Sequence, residues 1–550
     1  MLDPVKILIG LSLYAGPDVT NLSTRIQILI GCCFFILAGL AVIPYLGLQN
    51  DESLFAAPLY VMNPKEFCIN IFHRRIPLMV MTYIGTLKTL IYIPIFKIFG
   101  GNVWSTRVPM LLAGALTVFF FFRLALRCAG ATAAGIAGLL LASDPIFLLT
   151  NTVDWGPVAL SQLCLVTGSY CLVRFASLKQ NSMRDLALGF FFFGLGLWNK
   201  ALFFWILGGL AAGAMVLLPE IRRLWTWKRA VVGSLAFLFG AFPFLLYNVR
   251  HRNATLGSTA HFDSIAVAKA KLPPLEATFD GAGLMGYFTT ESWDVPNPKA
   301  PATVRGRIAW WIYQRFGEHR HSLMLYGLAA ALLLVPWWWR NRAGWFSILF
   351  MAVTWLLMAF THDAGGSVHH CVLLWPFPQL LIGVAFASIP WKQAAWAAGA
   401  VLIGSNLLVL DKYFVDFERN GAAGVYSDAM FGLSRAIPDP SSEDQRVWVV
   451  DWGILNTLAL THQGRLNLRS GDPPFFTDHP SEAERKEIDY MIHDQGSLLV
   501  GYVGDREVNK GVRQRIEAAI QAAGYRKEIL QVVNDSNGRP VFEIYRVAEN

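Results

Sequence analysis

The 550-residue sequence predicts an all-α polytopic membrane domain over residues 1–410 and a small α/β domain over residues 411–550. Three observations predict this. Apolar residues make up 54% of the chain and charged residues only 15%, a balance that excludes a soluble globule of ordinary composition. About eleven runs approach the ~20 consecutive apolar residues that a helix needs to cross a bilayer. After Asp411 the chain becomes charged and turn-rich, with short β-like runs.

The apolar runs begin near Ile26, Val108, Thr132, Pro157, Leu186, Ala201, Ala230, Ser322, Trp345, Cys371 and Ala394. The first, Ile26 to Leu48, lies too far into the chain and is too long for a cleaved signal peptide, and no small-residue cleavage site follows it, so an anchor helix is expected. One further run, Pro77 to Phe99, carries Lys88 at its centre, Lys97 near its end, Gly85 and two prolines, which are costly for a lipid-facing span. If that run does not cross and the N-terminus (Lys6, Arg25) is cytoplasmic, the basic connections Arg123/Arg127, Lys179/Arg184, Arg222/Arg223/Lys228/Arg229, Arg340/Arg342 and Lys392 all fall on the cytoplasmic side, as the positive-inside rule requires. The expectation is therefore about eleven transmembrane helices, with interfacial helices in one large outer loop from Gln49 to about Arg107. Asp51-Glu52, Asp154, the loop from Arg250 to about His321, His369-His370 and the tail then share the outer face.

In the tail, Val447–Val450 and Leu498–Val503 read as buried strands and Val512–Ala523 as an amphipathic helix. Glu528–Val533 and Val541–Val547 flank a turn-rich Asn534-Asp535-Ser536-Asn537-Gly538 and read as a hairpin.

The net charge is +8, but the basic residues sit in short clusters beside apolar runs, the pattern of membrane loops and not of a nucleic-acid surface. The seven cysteines lie mostly inside apolar runs without CxxC or Cys/His spacing, so neither a disulfide framework nor a zinc site is predicted. No phosphate loop, HExxH, GxSxG or dinucleotide fingerprint is present. A secondary transporter or lipid flippase is the competing class. Such proteins carry ionisable residues inside their spans and show repeated halves, whereas these spans are nearly charge-free apart from Lys200, beside an expected outer turn, and no internal repeat is visible.

The candidate chemistry lies in the predicted outer segments. Asp51 and Glu52 follow the first span closely, and Asp51 can act either as a reactive carboxylate or as the cap of a short following helix. Asp154, in Asn151-Thr152-Val153-Asp154-Trp155-Gly156-Pro157, has the same two readings, and topology places it on the face of Asp51. Arg74, Arg75 and Lys88 alternate with apolar residues, an arrangement that can hold a phosphate while a lipid tail stays in the membrane; the alternative is snorkelling toward head groups. His369-His370 can bind phosphate, orient an acid or ligate a metal, or be interfacial without a role. Glu291 and Asp294 read as ordinary loop acids.

Taken in order, Asp51-Glu52 after the first span, Gly85-Thr86-Leu87-Lys88 leading to Pro94-x-x-Lys97-x-Phe99-Gly100, the Trp104-Ser105-Thr106-Arg107-Val108-Pro109 turn, Asp154 and His370 to Pro378 resemble the polyprenyl-phosphate-dependent membrane glycosyltransferases of the GT-C fold. The similarity is nearest to the bacterial relatives of the protein O-mannosyltransferases and of the lipid A aminoarabinose transferases, and covers roughly residues 27–410. It implies an enzyme of the inner (plasma) membrane that moves a sugar, with inversion, from a polyprenyl-phosphate donor to a glycan, lipid or protein acceptor on the periplasmic or extracellular face. Nucleic acid is not an implied partner. It implies Asp51 as the principal catalytic carboxylate, Asp154 as a second acid and Glu52 as a lesser one. Lys88 and Arg75, with Arg74, His370 and His369, are then the groups around the donor phosphate. Some members bind a divalent metal through the Glu of a Glu-Lys that precedes Pro-Pro-Leu. The nearest segments here, Arg74-Arg75-Ile76-Pro77-Leu78 and Ile84-Gly85-Thr86-Leu87, supply no such Glu, so no cofactor is required and a divalent metal is left open.

Overall fold

The computed structural model describes residues 22–60, 67–71, 74–177, 182–259, 261–295, 297–438, 445–494 and 496–549. Lys6 and Lys179, used in the orientation argument, and the side chain of Arg74 lie outside the described residues.

All eleven predicted apolar runs are helical. Seven helices are long and apolar enough to cross a bilayer: Leu22–Tyr45, Val103–Ala129, Val158–Ser177, Phe203–Leu224, Trp227–Arg250, Arg342–Phe360 and Lys392–Arg419. Two bent pairs raise the number to nine among the described residues: Ala131–Ser143 with Pro145–Thr152, at 56°, and Val368–Leu374 with Phe377–Ala387, at 41°. Proline sits at the start of the second half in each, where its missing N–H costs nothing and its fixed φ suits a helix start. The other two runs form shorter helices, Met183–Asn199 of 17 residues and Met324–Leu333 of 10 residues, roughly 26 and 15 Å long at 1.5 Å per residue. Met183–Asn199 packs between Val158–Ser177 and Trp227–Arg250. Many helix faces leave large apolar side chains such as Leu29, Leu37, Leu235 and Phe239 exposed, as a lipid-facing surface requires, while Phe35, Phe147, Leu141 and Trp375 fill the interior.

The first long loop differs from expectation over half of its length. Pro77 is not in an interfacial helix. It lies in the strand Arg74–Met81, the centre of a three-stranded antiparallel sheet with Phe67–Ile71 and Ile84–Gly85. Pro77 faces Cys68, where the register shifts, and such irregular pairing is where a strand tolerates a residue without an N–H. Only Leu87–Phe99 is helical. A short apolar run is ambiguous between the two structures by periodicity alone.

The C-terminal domain has a five-stranded sheet in the order 467–470, 446–449, 498–502, 540–549, 525–534, the first three strands parallel and the last two a hairpin. The predicted strands, the helix Val512–Ala522 and the hairpin are all present. The edge strand Asn467–Ser470 and the helix Glu482–His493 complete the α/β layer. Polar contacts seat this domain on the membrane domain beside the first loop: Asn456 Nδ2 donates to Asn50 Oδ1 at 2.9 Å, the Ser53 and Thr457 hydroxyls are 3.2 Å apart, and Gly47 N donates to Tyr426 O at 2.7 Å.

Candidate active site

After the first helix the chain makes one short turn, Asn50–Ser53, capped by Gln49. The Gln49 side chain accepts from Asp51 N at 2.6 Å, and Glu52 reaches back to Gln49 N. This reciprocal capping satisfies free N–H groups at the start of the turn. The cap is therefore Gln49 and not Asp51, which leaves the Asp51 carboxylate available. It is partly exposed and accepts the Trp155 indole N–H on Oδ2 at 3.0 Å.

Glu52 has a different fate. Its two oxygens take Arg107 Nε and a terminal nitrogen, both at 2.7 Å, and Arg107 also donates to the carbonyls of Ile43, Leu46 and Gly47. All five donors of the guanidinium fork are then used. Both side chains are at most 1% exposed. Glu52, expected as a lesser catalytic carboxylate, is thus the buried anchor of Arg107, and the pair pins the end of the first span to the start of Val103–Ala129.

Asp154 leaves the broken span Ala131–Thr152 with a left-handed φ of 49°. One oxygen accepts Ala159 N at 2.8 Å and so caps the next helix, while the other meets Lys88 Nζ at 2.6 Å. Lys88 is fully buried, its ammonium 4.5 Å from the Phe55 ring centroid. The expected second acid and the expected donor cation are therefore each other's partners.

The turn after Asp154 brings the predicted His369 and His370 together with three groups that the sequence did not single out for chemistry, Trp155, Tyr287 and Lys200. Trp155 stacks on Tyr287 at 4.6 Å and lies 4.1 Å from the His369 ring. His369 and His370 are adjacent at 4.1 Å, and His370 Nδ1 meets Ser367 Oγ at 3.0 Å. Gly156, at φ 73°, lets the backbone pass close to Lys200. A Cβ there would lie 3.2 Å from Lys200 Nζ and 3.1 Å from His369 Cδ2. Lys200 is 6% exposed, donates to Gly156 O at 3.3 Å and forms no ion pair among the described residues. Burial pulls its ammonium down to about 8, with the charges of Asp51 and Asp154 opposing that pull. Tyr287 is pushed up to about 12, chiefly by burial and further by the charge of Asp51.

Asp51, Trp155, Tyr287, Lys200 and His369 thus converge at one end of the helical domain, against the C-terminal domain. Arg75 is exposed on the strand Arg74–Met81, opposite Asn70, and Arg74 pairs with Ile71 by backbone register; neither is needed to close this cluster. The donor set does not suit a divalent metal. Glu52 and Asp154 are each opposed by a cation, and among the described residues no three of His, Cys, Asp and Glu are grouped as metal ligands.

A bundle of spans, two of them broken, with acidic turns at one end and an appended α/β layer makes this a multi-pass membrane protein. Residues 89–247, which include Asp154, Trp155 and Lys200, match the family described as dolichyl-phosphate-mannose-protein mannosyltransferase. Over 101 residues the chain is 36% identical to the Bacillus subtilis (strain 168) protein named "Putative mannosyltransferase YycA"; that stretch is 18% of this chain and 14% of the relative, so only a small part of the relative's length is matched. The apo crystal structure of ArnT from Cupriavidus metallidurans aligns with a TM-score of 0.53 at 12% identity, covering 96% of this chain and 98% of that one. ArnT bound to undecaprenyl phosphate aligns at 0.49 and 12% identity, over 94% and 97% of the two chains. The resemblance expected from the motifs is thereby shown, and the fold is that of the GT-C glycosyltransferases.

Proposed function

We propose that the chain is a glycosyltransferase that moves a sugar from a polyprenyl-phosphate donor to an acceptor hydroxyl or amine at the extracytoplasmic face, with inversion at the anomeric carbon. The observation that carries this reading is the presence at the Trp155 turn of both an oriented, partly exposed carboxylate, Asp51, and a buried ammonium, Lys200, that forms no ion pair among the described residues. Asp51 takes the acceptor proton as the acceptor oxygen or nitrogen bonds to the anomeric carbon. The bond from that carbon to the phosphate oxygen breaks, and its electrons leave with the phosphate. Lys200 meets that growing negative charge in a site poor in water, where a fixed cation counts for most. The exposed side of Tyr287, stacked on Trp155, offers a flat face against which a sugar ring packs. Lys88 and Asp154 hold the turn that carries Trp155, and His369 lines the phosphate side. His370, buried beside His369, is a further group proposed for the lipid-linked phosphate. The family match supports a lipid-phosphate-linked sugar as donor.

The test is transfer from a polyprenyl-phosphate sugar by the protein in liposomes, together with mass spectrometry of the lipid that copurifies with it. Turnover without such a donor, with no polyprenyl phosphate retained, sinks the reading. Within it, Lys200→Met is expected to lower kcat/KM about 10- to 100-fold, the value of one charge-assisted contact of roughly 1.5–3 kcal/mol. The pH dependence follows from the lowered ammonium: Lys200 is charged below about 8 and neutral above it. In wild type kcat/KM, which reports the free enzyme, should fall above that pH, and the alkaline limb should vanish in Lys200→Met.

Orientation follows from the loop charges. Lys486, with a side chain 76% exposed on the C-terminal domain, should as Lys486→Cys react with a membrane-impermeant thiol reagent from outside the cell. Labelling only after the membrane is opened reverses the proposed orientation.

A further inference from the structure

The two broken spans meet at one carboxylate that the proposed reaction does not use. Asp144 stands at the 56° break between Ala131–Ser143 and Pro145–Thr152 and is 2% exposed. One of its oxygens accepts Phe147 N at 2.9 Å and caps the second half of the break. The other accepts two side-chain donors from the second broken span: Trp375 Nε1 at 2.7 Å and Gln379 Nε2 at 3.0 Å. Trp375 and Gln379 flank the 41° break of that span and are fully buried, the Trp375 ring 5.0 Å from Phe279.

A second buried tie joins the same elements nearer the site. Asn151 Nδ2 donates to Gln162 Oε1 at 2.9 Å, and Gln162 Nε2 donates to Val372 O at 2.8 Å. The first broken span runs on from Asn151 to Asp154 and Trp155; the second begins at Val368 with His369 and His370. A charged carboxylate inside a membrane domain is costly and persists where it serves a purpose. A break in a helix frees backbone groups and lets its two halves tilt, so a carboxylate that bridges two breaks removes that freedom from both at once.

We propose that Asp144 is a positioning residue that locks the two breaks together and so fixes the Asp154-Trp155 turn against His369. The kinetic part of this assignment rests on the proposed sugar transfer; the geometric part does not.

The test uses the full chain in detergent or liposomes. Asp144→Asn keeps the oxygen that caps the helix but turns an amide group toward Trp375 and Gln379. It is expected to lower kcat about tenfold or more, since small misplacements in a site cost up to about 100-fold, with the donor KM changed less than about twofold. Backbone amide exchange should rise in 153–156 and 366–371 together and stay as in wild type elsewhere. Trp375→Phe, which keeps a ring against Phe279 and loses only the indole donor, should move both readouts in the same direction by less, and it carries the test if Asp144→Asn does not fold. Wild-type kcat together with wild-type exchange overturns the proposal, as does an exchange increase spread evenly over all spans, which is the mark of general loosening. If wild type itself transfers no sugar, the proposed function falls and exchange alone decides the role of Asp144.

Discussion

Asp51→Asn is expected to leave a folded protein that transfers sugar about 100- to 10,000-fold more slowly, the range by which removal of a general base slows a reaction. The amide still accepts the Trp155 indole N–H that the carboxylate takes at 3.0 Å, and Gln49 still caps the turn from its own side chain. What is lost is basicity. The loss should therefore fall on kcat, with thermal stability and the donor KM close to wild type, measured on one preparation by initial rates and by melting followed with size-exclusion fluorescence. Turnover within a few-fold of wild type would remove Asp51 from the chemistry and point to a base brought by the acceptor.

The second large effect is on stability. Arg107→Met leaves the buried Glu52 carboxylate without its paired cation, with only the Gln49 N–H still donating to it, and takes the donor from three carbonyls, those of Ile43, Leu46 and Gly47. Breaking a buried pair in this way costs about 3–5 kcal/mol. The expected readout is loss of monodisperse protein on extraction, or a melting temperature lower by many degrees. Glu52→Gln is milder, because an amide still fits under the guanidinium fork and accepts at least one of its N–H groups. The contrast with Asp51 is diagnostic. Near-normal melting with turnover as low as in Asp51→Asn would make Glu52 a participant in the reaction and not the anchor of Arg107.

The helical runs were legible because a bilayer demands long apolar stretches, a signal carried by composition alone. The strand at Pro77 was not, since an apolar run of that length suits a strand or a helix equally until its neighbours are known. At the site the sequence offered Asp51, Asp154, Lys88 and His369 as separate candidates, and the structure gathers them around one turn. It also divides the charges in a way no spacing announces. Glu52 and Arg107 are 55 residues apart, and which carboxylate is free depends on which cation folds back onto it. Lys200 stood out in the sequence as a charge in an otherwise apolar stretch, but its position against the Gly156 carbonyl, with no ion pair among the described residues, exists only after the Met183–Asn199 helix is packed. The Gln49-x-x-Glu52 spacing is the one local signal that points to the true cap, and it is weak because Ser, Thr, Asp and Asn are the usual residues there.

Asn50 binds Asn456 of the α/β domain, and Asn50 is the residue before Asp51. The aim of the carboxylate proposed as the base is therefore set jointly by the helical bundle and the C-terminal sheet region, and the border between them is not a border of the proposed chemistry. A chimera carrying the α/β domain of a relative would lose turnover first, through a tilted turn, and reveal any change in acceptor preference only after residues 50 and 456 had been matched again.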